Sequence, residues 1–307
     1  MRSHGYIGRK AFCMLMSACL IAAASTIAFA QDGSATGKCS FQTLNIPAPA
    51  NNLPVARALN DVGGIVGQYL ASDLRSHGFL LYQGKLTTFM FPGSTDTEPR
   101  DVNTTGTIVG DYFQGDSGHA FMVHSGVFKQ ITIPGFPNAV VTANGVNDNG
   151  DVVGQYNPNP ANAAFGYLLH NGKLTTLSFP GAAGGTNPTS INNQGVIVGT
   201  YFLSSEDPAH GFMWKAGVFS NLNPPDGGGH SRPTKISNAG DVVGTYVSTA
   251  DGLQHGFSFD KGRYTKIDVP GLQSTGIDAV NKFDNVIAEA IQGTKTALFK
   301  GFCSAVF

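Results

Sequence analysis

Two columns of polar side chains recur at matching places along this sequence, and they hold its best candidates for chemistry. Both are placed relative to a repeated segment that runs, in its first copy, from Asn60 to Tyr69. Three residues before the segment, the six copies carry Arg57, Arg100, Asn144, Thr189, Thr234 and Asp278. Just before the position of the Tyr, they carry Gln68, Asp111, Gln155, Thr200, Thr245 and Glu289. Positions that stay polar while their chemistry changes are typical of a surface facing water, whether a binding site or a solvated strand end.

These columns allow two kinds of function. The sequence has no metalloprotease, phosphate-loop or paired-cysteine metal motif, so we predict no catalytic site. We favour a binding protein whose ligand contacts are Arg57, Arg100, Gln68, Gln155 and Asp278. The alternative is a glycan-active hydrolase or lyase in which the two arginines bind an acidic substrate and the acid and base candidates are Asp111, Glu289, Asp278 and Asp101. Two glycosidase carboxyl groups lie roughly 5 to 9.5 Å apart, and the sequence alone does not give that distance.

Two further patterns could bind metal, and neither is favoured. One histidine recurs in four copies, at His77, His119, His210 and His255. Residues that occupy the same place in separate repeats lie too far apart for metal bonds of about 2 Å, so we expect each imidazole to bond to a neighbouring strand or loop. The run 147–151 resembles a calcium loop but lacks the final Glu, and turn chemistry explains it. We therefore predict no metal and no cofactor.

The repeats themselves predict the elements that position these side chains. The segment starts at Asn60, Asn103, Asn147, Asn192 and Ser237, with a decayed copy at Asn281, so the steps are 43 to 45 residues. A period in the low forties with four short strands per unit is typical of a β-propeller. In the second copy we expect strands at 100–103, 107–113, 119–123 and 127–133, with turns at Asn and Gly residues.

The fold class that follows is all-β: a six-bladed β-propeller of ~44-residue repeats that begin near residues 57, 100, 144, 189, 234 and 278. We predict that residues 31–307, which follow the N-terminal segment 1–30, form one domain. If the last copy is only a cap, five blades with an irregular closure remain the alternative. Trp214, the single Trp, could stack on a sugar ring if exposed, but its place on a strand favours packing between blades.

The triplet His119-Ala120-Phe121 and its companions resemble the HAF family of predicted extracellular bacterial repeats. The resemblance covers roughly residues 55 to 300. The third copy departs from it with Phe165-Gly166-Tyr167, and the sixth with Thr296-Ala297-Leu298. What the resemblance implies is an exported repeat fold; it assigns no biochemical activity.

Two cysteines predict how the ring closes. The turn Gly lies seven residues after the His position of each intact copy, and in the sixth copy this step lands on Cys303. The segment 41–47 matches the fourth strand of a repeat, which usually ends in a Pro eight residues after the turn Gly; counting eight residues back from Pro47 lands on Cys39. We predict that this N-terminal strand completes the last blade and that a Cys39–Cys303 disulfide replaces the missing turn, with two free thiols as the alternative.

The ends and the composition limit where the protein acts. Residues 1–30 have a positive head, an apolar stretch and a small-x-small cleavage pattern, which predict a secretory signal peptide; a lipoprotein site at Cys19 is the weaker alternative. No other segment reaches the ~20 apolar residues of a membrane span. Charged residues make up 13% of the chain and the net charge is −1, which argues against a nucleic-acid partner. We expect a secreted or periplasmic monomer with an extracellular polysaccharide or protein as ligand.

Overall fold

The structure, a computed structural model, describes residues 39–47, 54–159, 162–293 and 295–303. The predicted signal peptide lies outside these residues. The described residues form 24 strands arranged in six four-stranded antiparallel sheets. Among them, no helix is long and apolar enough to pass through a bilayer.

Each sheet is one blade; in blades 1 to 5 the strands follow chain order from the centre outwards, and in blade 6 the N-terminal strand is outermost. Blade 1 contains β2 (Val55–Leu59), β3 (Ile65–Leu70), β4 (Ser76–Tyr82) and β5 (Lys85–Phe89); blade 2 contains β6 (Asp96–Val102), β7 (Ile108–Gln114), β8 (Ser117–His124) and β9 (Val127–Ile131). Blade 3 contains β10 (Val140–Val146), β11 (Val152–Asn157), β12 (Phe165–His170) and β13 (Lys173–Leu177); blade 4 contains β14 (Gly185–Ile191), β15 (Ile197–Phe202), β16 (His210–Lys215) and β17 (Val218–Asn221). Blade 5 contains β18 (Ser231–Ile236), β19 (Val242–Val247), β20 (Gln254–Asp260) and β21 (Arg263–Ile267); blade 6 contains β22 (Ser274–Val280), β23 (Asn285–Gln292), β24 (Lys295–Cys303) and the N-terminal β1 (Cys39–Thr43).

The blades close into a ring. The first strand of each blade contacts the first strands of both neighbours, and β2 of blade 1 contacts β22 of blade 6. Strand β1 pairs with β24 so that Cys39 lies opposite Cys303, and the two form a disulfide. The six-bladed propeller and its predicted closure are confirmed, and the five-bladed alternative is wrong. Closing a loop of this length, 264 residues, stabilises a fold by up to about 5 kcal/mol in the chain-entropy account.

Apolar side chains pack between neighbouring blades, with one cluster at each seam. The Phe or Tyr that ends each triplet is fully buried there, as at Phe79, Phe121, Tyr167, Phe212 and Phe257. Burying such a ring contributes about 1.5–3 kcal/mol. Trp214 packs against the cluster at the seam of blades 3 and 4, which includes Val153 and Leu177 of blade 3. The expected packing of Trp214 between blades is confirmed.

The innermost strand of blade 2 is longer than predicted, and the innermost strand of every blade contains a β-bulge. In blade 2 this strand begins at Asp96 rather than Arg100, because the preceding residues pair with β7. Pro99 is tolerated since it lies on an edge strand. The register shifts at the first polar column in all six blades. A bulge redirects the side chain that it contains.

The motif Gly of the second strand lies in contact with the bulged backbone of the first strand, which leaves no room for a side chain. A Cβ atom added at Gly110 would lie 2.2 Å from the carbonyl oxygen of Glu98, and one at Gly67 would lie 1.9 Å from that of Val55. Real Cβ atoms do not come that close, so only Gly fits where the bulge takes this path. Blade 6 has Ala288 at this position.

The motif Asn links each blade to the next. The side-chain oxygen of Asn60 accepts hydrogen bonds from the backbone N–H groups of Val62 and Gly64, which fixes its own turn. Its Nδ2 donates to the carbonyl of the corresponding Asn103 in blade 2, at 2.9 Å. The same bond to the next blade recurs from Asn103, Asn147, Asn192 and Asn281. Blade 5 has Ser237, whose shorter side chain bonds Asp241 instead.

Candidate functional site

An ion pair crosses the axis of the propeller. Lys235 of blade 5 donates to the carboxylate of Asp101 in blade 2, and in a six-bladed ring these two blades face each other. The carboxylate also accepts from the backbone N–H groups of Val102 and Val146, and its side chain is 1% exposed. The other blades carry small residues at this level: Ala58, Gly145, Ser190 and Ala279. The pair therefore bridges the axis at this depth. We call the side of this bridge where the inner strands begin, and where the two polar columns lie, the inner recess.

The uncharged members of the first column bond to the backbone of the next blade. Asn144 donates to the carbonyl of Pro188 at 2.8 Å, and Thr189 donates to that of Pro233 at 2.8 Å. Thr234 repeats the bond to Ile277 at 2.6 Å. In blades 3 to 5 this column thus fastens neighbouring blades, while its half-buried side chains still border the inner recess.

In blade 2 the columns form a charged cluster. Arg100 Nε donates to Asp111 Oδ2 at 2.6 Å, and its Nη2 lies 4.0 Å from Glu98 Oε2. Asp111 Oδ1 accepts from the backbone N–H of Ala143 in blade 3 at 3.1 Å. Burial raises the pKa of the Asp111 carboxyl, although Arg100 and the Ala143 N–H act in the opposite direction. Asp111 is therefore an enclosed, fully bonded carboxylate.

A second charged cluster lies where blade 6 meets blade 1. Burial, together with the negative charge of Glu289, raises the pKa of Asp278 to about 7 against the opposing charge of Arg57. The Oδ2 atom of Asp278 is buried and has no hydrogen-bond partner among the described residues. Of the four enzyme candidates, the structure thus brings Asp278 and Glu289 together. Asp111 lies on blade 2, which blade 1 separates from them, and Asp101 lies in the ion pair on the axis.

The two predicted glutamine contacts differ in their bonding. Gln155 donates from Nε2 to the carbonyl of Thr186 in the next blade at 3.2 Å. The Oε1 atom of Gln68 is buried without a partner. Asp111, the equivalent residue in blade 2, accepts a hydrogen bond from the backbone N–H of Ala143 in blade 3. The residue of blade 2 that occupies the same place relative to Gln68 is Pro99, which has no N–H. Gln68 therefore keeps a buried acceptor without a partner among the described residues.

Sequence reasoning missed a third ring of side chains, two residues before the first column. It reads Val55, Glu98, Thr142, Asn187, Arg232 and Gly276. In each blade this residue pairs with the second column or lies next to it, so the two share a face of the sheet. Glu98 and Arg232 therefore belong to the inner recess. The side chain two residues earlier on a strand points to the same face, so applying this rule to the first polar column would have found them.

The other end of the axis offers little space. A cavity of about 30 Å³ lies among the turns that follow the inner strands, which is room for one or two water molecules. Its polar side chains bond to one another: Asn238 donates to Asp61 at 3.0 Å, and Asp148 accepts from the Thr104 N–H at 2.7 Å. No group of three His, Cys, Asp or Glu side chains that could hold a metal occurs in the described ranges.

The repeated histidines lie on four different blades, as expected. Each packs on the motif Tyr across the strand pair, with ring centroids 5.8 Å apart for Tyr69 and His77 and 5.1 Å for Tyr201 and His210. His255 also contacts Asp251 and Asp268 through its two ring nitrogens. In the run 147–151, Asn147 Oδ1 accepts from the N–H groups of residues 149 and 151, which makes it a turn.

Comparisons with known proteins agree on the fold alone. No protein-family model matches the sequence, and no curated protein does. Among solved structures, TolB from Acinetobacter baumannii superposes with a TM-score of 0.54 at 10% identity over 78% of this chain, which spans 64% of TolB. A triple arginine variant of AofleA from Arthrobotrys oligospora gives 0.51 at 12% identity, with 87% of each chain covered. A gluconolactonase from Xanthomonas campestris gives 0.50 at 12%, covering 82% of this chain and 86% of its own.

Proposed function

We propose that this protein is an exported, non-catalytic binding propeller that holds an extracellular polysaccharide or protein ligand in its inner recess. The observation that carries the proposal is the pair of polar columns above the Asp101–Lys235 bridge. Across six blades of one repeated design, each of the two columns holds four different polar residue types. The motif Asn, which joins neighbouring blades, is by contrast the same residue in five of the six blades.

The charges favour binding over acid–base chemistry. The carboxyl groups that an enzyme would use lie in three places, and the one adjacent pair, Asp278 and Glu289, leaves the Asp278 Oδ2 atom buried. A general acid must reach the proton acceptor on its substrate at hydrogen-bond distance. Arg57 and Arg100, by contrast, place guanidinium groups at the border of the inner recess, where they suit planar anionic or polar ligand groups.

Export is the second part of the proposal. The Cys39–Cys303 disulfide fits an oxidising compartment, and the predicted signal peptide would direct the chain there. Secretion or residence in the periplasm would place the binding face where polysaccharides and cell-surface proteins occur.

Binding can be tested with the oxidised mature protein on a glycan array, together with pull-down from cell-surface extract. We expect a saturable ligand whose affinity falls about 10- to 100-fold in Arg57→Ala or Arg100→Ala, since charged hydrogen bonds contribute ~1.5–3 kcal/mol each. Arg263→Ala, on the outer strand of blade 5, is the matched control, and thermal melting confirms folding of each variant. The absence of any ligand, or a ligand whose affinity is the same in all three variants, would contradict the proposal.

A further inference from the structure

The side chain of His255 in blade 5 lies between two carboxylates. Its Nδ1 atom lies 2.9 and 3.0 Å from the two carboxylate oxygens of Asp268, and its Nε2 atom lies 3.0 and 3.2 Å from the Oδ2 and Oδ1 atoms of Asp251. The residue is 6% exposed, so protein side chains rather than bulk water supply its hydrogen-bond partners. An imidazole donates through both ring nitrogens only when it is protonated and positively charged. Hydrogen bonds to both carboxylates therefore require the charged form of His255.

A lysine competes for one of these nitrogens. Lys266 Nζ lies 3.1 Å from His255 Nε2 and 3.4 Å from Asp268 Oδ2. A lysine ammonium only donates hydrogen bonds and a carboxylate only accepts them, whereas an imidazole nitrogen donates with its proton and accepts without it. His255 Nε2 can thus bond to Asp251 when it carries a proton and to Lys266 when it does not. The two partners of this one atom have opposite requirements.

The other groups around the ring keep their protonation states near neutral pH. The backbone N–H of Leu253 lowers the pKa of the Asp251 carboxyl, burial opposes this effect, and His255 reinforces it, so Asp251 is a carboxylate at neutral pH. The Tyr246 ring packs on His255 with centroids 5.7 Å apart. Burial and the neighbouring carboxylates, foremost Asp226, raise the pKa of the Tyr246 hydroxyl, which stays neutral. Histidine is the side chain whose charge ordinarily changes between pH 5 and 8, so its protonation decides which partner Nε2 binds.

Through these contacts His255 connects a loop to the outer part of blade 5. Asp251 lies in the loop 248–253, which joins β19 to β20, whereas Asp268 follows the outer strand β21. The Leu253 N–H donates to Asp251 Oδ1 at 2.9 Å, so the carboxylate that contacts His255 also orders the end of its own loop.

The loop lies on the side of the inner recess. Ser231, the first residue of inner strand β18, pairs with Tyr246 near the end of β19, and the loop follows directly after β19. The first half of the loop is fixed independently of His255, because the N–H and the hydroxyl of Thr249 donate to the Asp226 carbonyl at 2.8 and 3.1 Å. Loss of the Asp251 contact would therefore loosen the second half, 251–253.

From these contacts we infer that His255 is a pH-sensitive latch for the loop segment 251–253. When Nε2 takes up a proton from water, it binds Asp251, and the ring joins this segment to Asp268. When the proton returns to water, Nε2 accepts a hydrogen bond from Lys266 instead, and the Asp251 carboxylate, whose side chain is 41% exposed, turns to solvent. The loop beside the inner recess is thus held more tightly in acidic than in alkaline surroundings. The latch needs no ligand and is independent of the proposed binding function.

The latch is tested by amide hydrogen exchange of the oxidised mature protein, measured by NMR at pH 5.5 and 8 and corrected for the intrinsic effect of pH on exchange. The Leu253 N–H should be protected about two- to fivefold more at pH 5.5, the range expected for an ion pair with one partner in solvent. Asp251→Asn should remove this pH difference, because an amide can either donate to Nε2 or accept from it. Lys266→Met should extend the stronger protection to higher pH, because the neutral imidazole loses its donor. His77→Gln is the control: its Nε2 atom contacts Asp73 at 3.1 Å in blade 1, and the substitution should leave Leu253 unchanged.

The ¹⁵N NMR signal of His255 Nε2 reports the exchange of partners directly. It should be that of a protonated nitrogen at pH 5.5 and of a hydrogen-bond acceptor at pH 8, while Nδ1 stays protonated at both. Equal protection of the Leu253 N–H at the two pH values, or a pH difference that survives in Asp251→Asn, would overturn the latch. Loss of protection at a lower pH in Lys266→Met than in the wild type would also contradict it, because Nε2 would then not accept from Lys266.

Discussion

Replacing Asp278 with Asn should stabilise this protein more at pH 8 than at pH 5. Burial and the charge of Glu289 raise the pKa of Asp278 from 3.8 to about 7. At pH 8 the native state therefore contains a buried carboxylate with one unbonded oxygen, and an amide of the same shape removes that charge. At pH 5 the folded carboxyl is protonated and neutral, so the substitution removes no buried charge from the native state and the gain is smaller.

The direction of the pH dependence follows from proton binding. Between pH 4 and 7 the folded state keeps a proton that the unfolded state releases, so stability is greatest at low pH and falls as pH rises through about 7. A pKa shift of this size corresponds to at most about 4 kcal/mol. Since the Asn amide also lacks a partner for one of its groups, and an unmade hydrogen bond costs ~1–3 kcal/mol, we expect a net gain of about 1–3 kcal/mol at pH 8.

The measurement is urea unfolding of the oxidised protein at both pH values. The informative quantity is the change in unfolding free energy on substitution at pH 8 minus the change at pH 5, in which the pH-independent effects of the amide cancel. Asp116→Asn, in an exposed hairpin turn, is the control and should give no difference. A difference near zero for Asp278→Asn, or a larger gain at pH 5 than at pH 8, would refute the buried-charge reasoning.

Two further predictions test how the blades are joined. Ser237→Asn should supply the missing side-chain bond from blade 5 to blade 6 and raise the unfolding free energy by about 1 kcal/mol; a loss of stability in urea unfolding would show that the turn cannot hold Asn. Gly110→Ala should lower the unfolding free energy by about 1–3 kcal/mol, because the added methyl group would clash with the bulge at Glu98. The control is Gly106→Ala, which tests backbone strain alone, because Gly106 has a positive φ but no atom near its Cβ position. Equal losses at the two glycines, measured by the same unfolding assay, would rule out the close approach as the cause.

Much of the fold could be predicted from the sequence because its design is local and repeated. The same turn residues and β-branched strands recur six times, so one copy read correctly gives all of them. Closure was also predictable, since Cys39 and Cys303 fall at the two ends of one missing turn. The sequence did not predict the full length of the innermost strands, because Pro99 and its equivalents in blades 4 and 5 indicate a loop rather than an edge strand.

The candidate site was predicted less completely, and the reason is distance along the chain. The two polar columns were recognised because each occurs once per repeat. The pairing of Asp101 with Lys235 joins residues 134 positions apart on opposite blades, and no periodic pattern predicts which blades face each other with opposite charge. The separation of Asp111 from Glu289 likewise depends on the ring geometry, which exists only after folding.

Ligand binding in the inner recess is tested most directly by hydrogen–deuterium exchange of the folded protein, measured with and without a saturating amount of the ligand found on the array. If the inner recess is the binding site, protection on binding should concentrate in the inner strands β2, β6, β18 and β22. The outer strands β5, β9 and β21 should exchange as they do in the free protein. Protection confined to outer strands, or to the turns around Asn60 and Asn147 at the opposite end of the axis, would contradict the claim that the inner recess binds the ligand.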